Sequence, residues 1–210
     1  MYTVYQKALA HFKKNDPKLH TLAEGIVIPD IVAAGDMFRD IVWTIIGQQL
    51  SGKAADTIFE RFAALFPDSK VVPEHISKLA DADLRSCGLS GAKTRAIRDL
   101  ASKVLSGELD LARLPSLPDV DVIIELTRVK GIGPWTAEMI LMFSLGRTDV
   151  FSMGDLVLKK EIMSLYGWKK LPSQKKIDTV LAAWSPYRTY AAKILWKVAD
   201  AKKNRIPRKR

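Results

Sequence analysis

The sequence predicts an all-α protein, and three observations carry that expectation. Apolar residues recur at spacings of three and four in segment after segment, the period of a helix with one buried face. Proline and glycine punctuate these segments regularly, at Pro67, Pro73, Gly88, Gly91, Pro115, Pro118, Gly146, Gly167 and Pro172. Alternation of apolar and polar residues never lasts beyond four or five positions, which leaves no half-buried strand.

Taken in order, the stretch IIGQQLSG ends an apolar helix at Gln48 and Gln49, and a new helix starts near Gly52. In that helix, expected over 52–65, Ala55, Ile58, Phe59, Phe62, Leu65 and Phe66 share one face. Ser90, Gly91 and Lys93 open another helix, whose stripe is Ala96, Ile97, Leu100, Ala101, Val104 and Leu105. A helix over 119–129 carries Ile123, Ile124 and Leu126. The segment KGIGPWTA interrupts the pattern: Gly131 and Gly133 permit positive φ, Ile132 offers an apolar anchor, and Pro134 suits a helix's first turn. A hairpin between two helices, with its N–H groups outward and a helix dipole behind them, is an anion site that needs no side chain. Further helices are expected over 155–166 and along Ala192, Leu195, Trp196 and Ala199, the latter capped by Ser185 with Pro186 in its first turn.

The 210 residues suffice for one sizeable core or two small joined domains, and 48% hydrophobic with 27% charged residues is ordinary globular composition. No apolar run reaches the roughly 20 residues of a membrane span. The N-terminus lacks the basic-then-apolar order of a secretory signal. One cysteine, Cys87, and three scattered histidines provide neither a disulfide nor metal-ligand spacing, so no metal or other cofactor is expected, and the compartment is expected to be reducing. Six of the ten net positive charges sit in the last nine residues, KKNRIPRKR, leaving +4 for the rest. Such a tail suits nucleic acid, but solubilising or targeting tails have the same composition.

KGIGPWTA followed by DVFSMGDLVLKK over 149–160 resembles the helix-hairpin-helix, Gly/Pro-rich, aspartate signature of base-excision DNA glycosylases. The likeness extends to DIVWTIIGQQLSGKAADTIFERF, to LRSCGLSGAKTRAIRDLA and to WSPYRTYAAKILWKVAD, and so covers about residues 36–200. The set is most similar to the alkylpurine branch, the 3-methyladenine DNA glycosylases II, and to their fungal members. The resemblance implies two helical lobes: residues 36–148 ending in the hairpin, and residues 1–35 with 149–201, followed by the basic tail 202–210. It implies a monomer acting in the nucleus on double-stranded DNA that contains alkylated or abasic sites.

What the resemblance implies for individual residues follows position by position. The family's catalytic aspartate falls on Asp155. Cleaving an N-glycosidic bond builds positive charge on the sugar, which a fixed carboxylate stabilises. Asp155 also stands where a helix N-cap would stand. Branches that cut the strand carry a lysine where this chain has Trp135, and tryptophan forms no Schiff base, so a monofunctional enzyme without lyase activity is expected. Trp135, Tyr187 and Met139 correspond to the base pocket, where aromatic faces suit a cationic base. Gln48 and Gln49 match the side chain wedged into the duplex, Gln49 the better of the two. Ser51, Lys53, Ser90 and Lys93 are expected to face phosphates together with the glycines of the hairpin, and Leu89 to probe the opposite strand.

Two departures weigh against efficient catalysis. Asp56 places a carboxylate on the expected DNA face, and Gly154 replaces the residue, often acidic, before the catalytic aspartate. Two functions therefore stand side by side: excision of alkylated purines, and binding of damaged or abasic DNA with weak or no excision.

Overall fold

The computed structural model describes residues 3–33 and 35–205. Thr3 and Gln6 cap each other's backbone N–H groups and start α1 (Val4–Asn15); Asp16 then caps α2 (Pro17–Leu22) through the N–H of Leu19. There follow α3 (Met37–Gly47), α4 (Gly52–Ala63), α5 (Pro73–Ile76), α6 (Asp81–Ser86), α7 (Gly91–Leu105), α8 (Asp119–Thr127) and α9 (Pro134–Phe143). The chain closes with α10 (Leu156–Tyr166), α11 (Gln174–Trp184) and α12 (Arg188–Arg205). Short 3₁₀ turns lie at Pro67–Ser69 and Leu114–Ser116, and no strand occurs among the described residues. The all-α expectation holds.

The chain divides into a contiguous unit, Val32–Gly146, and a composite unit built from the chain up to Ile31 and from Arg147 onward. The contiguous unit is organised on α3, which packs against α4, α7 and α9. Phe38, Ile41, Val42, Ile45 and Ile46 are all buried, as the apolar spacing of that helix requires. Burial of each such side chain stabilises by roughly 1.5–3 kcal/mol. Phe59 and Phe62 of α4 and Ile97 and Leu100 of α7 complete this core.

The composite unit turns on one buried carboxylate. Asp16 accepts from Leu19 N (3.2 Å), from Trp184 Nε1 (2.6 Å) and from the Tyr166 hydroxyl, so α2, α10 and α11 meet at a single side chain. Three donors offset the cost of burying its charge. Burial and the neighbouring Asp16 push the Tyr166 phenol far above its ordinary pKa, so it stays a donor.

One sequence expectation changes here. α12 starts at Arg188, and Ser185 does not cap it: Ser185 ends α11, and its hydroxyl donates to Asp149 Oδ2 (2.8 Å). Arg188 Nε reaches the same carboxylate at 2.7 Å, so Asp149 organises the entry to α12. In the basic tail, Lys202 pairs with Glu161 (2.6 Å), and Lys203 lies 3.7 Å from Asp200. The stretch from Ile206 to Arg210 lies outside the described residues.

Candidate nucleic-acid interface and base pocket

The hairpin sits between α8 and α9 in the contiguous unit. Gly131 has φ +82°, and a Cβ there would stand 3.0 Å from Ala96 Cβ, so both conformation and space select glycine. Gly133 differs from the expectation: its φ of −97° is open to any residue, and a Cβ would meet nothing within 4 Å. Ile132 is buried and its N–H donates to Val129 O (3.1 Å), which pins the turn as the sequence suggests. Pro134 occupies the first turn of α9, and no side chain caps that helix. The dipole and first-turn N–H groups of α9 are thus left to a ligand with negative charge.

Helix α7 holds the hairpin from behind. Asp99 accepts the Lys130 N–H (2.9 Å), and its other oxygen lies 3.7 Å from Lys130 Nζ. The same helix also holds the loop after α3: Lys93 Nζ donates to Ile46 O (2.7 Å) and Gln48 O (2.9 Å). These are carbonyls at the C-terminal end of α3, where a cation is favoured. Burial lowers the Lys93 pKa. Lys93 is therefore a brace for the loop, because its ammonium is spent on backbone carbonyls, and it is not the phosphate ligand expected from the sequence.

Gln48 and Gln49 separate in role. Gln48 Nε2 donates to Gly131 O (2.9 Å) and to Thr136 Oγ1 (3.1 Å), which ties the loop to the hairpin and to α9. Gln49 is exposed and has φ +58°, the left-handed region, where a non-glycine residue stands only if its surroundings hold it there. Ser51 and Ser90 cap α4 and α7, accepting from Ala54 N and Lys93 N. Lys53 is exposed in the first turn of α4. Leu89 is 4% exposed, so its side chain packs in the core and does not reach out toward a strand as expected.

Beside the hairpin lies a half-open cavity of about 370 Å³. Trp135 and Met139 both line it, one helical turn apart on α9. Sequence reasoning missed others of its walls: Phe143 and Ser144 lie at the end of α9, and Asp40, Trp43 and Thr44 face them from α3. The signal was present as polar or aromatic residues at i, i+3, i+4 on an otherwise apolar helix. Asp40 is half-buried, and burial pushes its carboxyl above the ordinary aspartate range; a hydrogen bond from Ser144 and the nearby Arg39 oppose that shift, while Asp36 adds to it. Trp43 Nε1 donates to Asp56 Oδ1 (3.1 Å), so the departure noted at Asp56 is fastened to the pocket wall.

The composite unit holds the other two sequence-predicted residues. Asp155 is the N-cap of α10, its Oδ1 accepting from Val157 N (2.7 Å) and Leu158 N (3.0 Å). Gly154 is exposed beside it. Tyr187 packs edge-on to His11 (5.5 Å between centroids) and Tyr190 (6.5 Å). Among the described residues no group of histidine, cysteine and acidic side chains is placed to hold a metal. No helix among them is long and apolar enough to cross a membrane.

A glycine hairpin on an uncapped helix, an aromatic pocket next to it and an aspartate fixed at a helix start are parts suited to DNA and a single extruded base. Residues 42–186 match the family described as HhH-GPD superfamily base excision DNA repair protein, and the chain belongs to it. It is similar to DNA-3-methyladenine glycosylase 1 of Schizosaccharomyces pombe, with 33% identity over 82% of this chain and 78% of that one. Among solved structures it resembles the Schizosaccharomyces pombe 3-methyladenine DNA glycosylase in complex with abasic DNA (TM-score 0.80, 30% identity, 92% and 97% covered). It is also similar to the DNA-3-methyladenine glycosidase of Bacillus halodurans (TM-score 0.79, 36% identity, 94% and 91% covered).

Proposed function

We propose that the protein is a monofunctional DNA glycosylase that releases alkylated purines from duplex DNA. The hairpin at Gly131–Gly133 carries this reading: it offers backbone N–H groups and the uncapped start of α9 to phosphate, and it places Trp135 in an aromatic pocket. The pocket volume of about 370 Å³ is ample for one extruded purine. Gln49, exposed and held in the left-handed region, is the side chain that enters the space the base vacates.

Asp155 is the acid that serves the sugar. Its two backbone N–H donors lock the carboxylate in one orientation, which is the preorganisation that stabilising a developing oxocarbenium charge demands. A 3- or 7-alkylated purine already carries positive charge, so the C1′–N bond breaks with its electron pair returning to the base. The base leaves neutral, water adds to C1′, and a water proton passes to the carboxylate or to solvent. No lysine stands at the Trp135 position, so no Schiff base forms with the abasic product and the strand is left uncut.

Incubating methylated duplex DNA with the protein tests the reading: free 3-methyladenine should appear, and the Asp155→Asn variant should release at least about 10²-fold less. Borohydride added to an abasic product should trap no covalent complex; a trapped band overturns the monofunctional reading. A second reading, binding of abasic DNA with weak excision, is favoured by Asp56, an exposed carboxylate next to the wedge loop. Tight abasic-site binding without base release would select it.

A further inference from the structure

We infer that Asp40 is the specificity determinant of the pocket, the group that selects a cationic purine over a neutral one. This rests on the reading that the pocket receives the extruded base. Three features of the geometry support it. Asp40 lines a cavity whose remaining walls are largely aromatic or aliphatic, with Trp43 beside it on α3 and Trp135, Met139 and Phe143 across on α9. Its hydrogen-bonding partner there, Ser144, is itself 3% exposed, so the carboxylate is held by a fixed donor rather than swept by solvent. Finally, Arg39, the nearest cation on its own helix, lies 4.8 Å over the Phe59 ring, which holds that guanidinium against a π face.

A carboxylate in such a place has lost part of its hydration without gaining a close ion pair among the contacts described, and it recovers that loss when a cation enters. An alkylated purine supplies both a delocalised positive charge and amino N–H donors on its edge. The two indoles and Phe143 receive the same charge through their π faces, so aromatic walls and carboxylate favour one ligand class. An undamaged purine has the N–H donors and the stacking face but no charge, and gains only part of this. Selection by charge is needed because shape alone distinguishes a methyl group by about 10–200-fold at best. Asp155 cannot take over this selection, because it serves the sugar and its Oδ1 is engaged with the start of α10.

The experiment measures binding and excision separately in the full chain. Quenching of tryptophan fluorescence by 7-methylguanosine, which carries the charge, is compared with quenching by guanosine, which does not. The parent should prefer 7-methylguanosine by about tenfold or more, a charge-assisted hydrogen bond being worth about 1.5–3 kcal/mol. Asp40→Asn should bring the two ligands within about twofold, and Asp40→Glu should restore part of the preference, while thermal melting confirms that each variant folds. A preference retained in Asp40→Asn overturns the inference, as does a parent with no preference. Asp40→Asn should lose more release of 7-methylguanine from methylated DNA than of hypoxanthine, a neutral base, from DNA containing deoxyinosine. A parent that quenches selectively but releases no base would sink the glycosylase reading and leave the Asp40 inference standing. Normal release with an unchanged base preference in Asp40→Asn would do the reverse.

Discussion

Helices α9 and α10 both begin after a glycine-containing loop, yet the two starts are finished in opposite ways. α9 follows Gly133, begins at Pro134 and has no side-chain cap, so the positive end of its dipole is offered outward. α10 follows Gly154 and is closed by Asp155, whose carboxylate takes the N–H groups of Val157 and Leu158. One start attracts an anion; the other places a fixed negative charge where an anion would be refused and a sugar cation accepted. In the function proposed above, the same element of structure serves the phosphate in one case and the reaction centre in the other. What decides is a single residue, glycine or aspartate, at the N-cap.

The largest expected effect breaks the α10 side of this comparison. Asp155→Asn keeps an oxygen for the cap, so melting should shift little, while base release falls at least about 10²-fold, the loss typical of removing one preorganised electrostatic group. Affinity for abasic DNA should stay within a few-fold. Should release survive, the cap would be the only role of Asp155.

On the α9 side, the hairpin glycines are expected to part company. Gly131→Ala meets both the left-handed φ and Ala96, and should destabilise by about 1–3 kcal/mol in chemical denaturation. Gly133→Ala, with open space and an extended φ, should stay within about 0.5 kcal/mol of the parent. It should nevertheless weaken DNA binding, since the new methyl stands where a phosphate approaches. Equal destabilisation by both would mean that the turn is not held as described.

Lys93→Met sharpens the comparison from behind. It removes two charge-assisted hydrogen bonds to the α3 terminus and should weaken abasic-DNA binding about tenfold by loosening the wedge loop. The log–log salt slope should not change, whereas losing a phosphate contact flattens it by about 0.9. A flattened slope would return Lys93 to the phosphate.

The smallest effect belongs to Asp56→Ser. Removing a carboxylate that repels phosphate by about 1 kcal/mol at 4 Å in water should tighten binding several-fold at low salt, with the gain fading as salt rises. The same change takes away the partner of Trp43 Nε1. If binding is unaltered at low salt, Asp56 serves only to orient that indole.

How much of this was legible in the sequence depends on whether a feature is local. The helix periods, the Ile132 anchor, the helix starts at Ser51 and Ser90 and the place of Asp155 at a helix start are properties of a few consecutive residues, and each could be read directly. Lys93 could not. At a helix start, seen alone, a lysine beside Ser90 and Gly91 suggests phosphate; only the packing of α3 on α7 brings two carbonyls to its ammonium. Leu89 failed for the same reason, since its burial depends on neighbours distant in sequence. Of the three residues expected at a base pocket, Trp135, Met139 and Tyr187, the first two line one cavity, whereas Asp40, Trp43 and Thr44 lie about 90 residues earlier and join them only through the α3–α9 contact. Ser185 was misread because Ser-Pro predicts a helix start, whereas here Asp149 draws the hydroxyl away.

The knot at Asp16 has a consequence for synthesis. The contiguous unit, Val32–Gly146, has all its residues in hand once about two thirds of the chain has left the ribosome. α1 and α2 emerge first, yet Asp16 must wait for Tyr166 and then Trp184 before its carboxylate is paired. We therefore expect a chain truncated after Gly146 and released from the ribosome to show protease resistance over Val32–Gly146 and ready cleavage before Ile31. Resistance of the first helices at that stage would count against this order. The oldest part of the chain is thus the last to be secured, and any stall between Gly146 and Trp184 leaves a half-built protein whose beginning has nothing yet to hold.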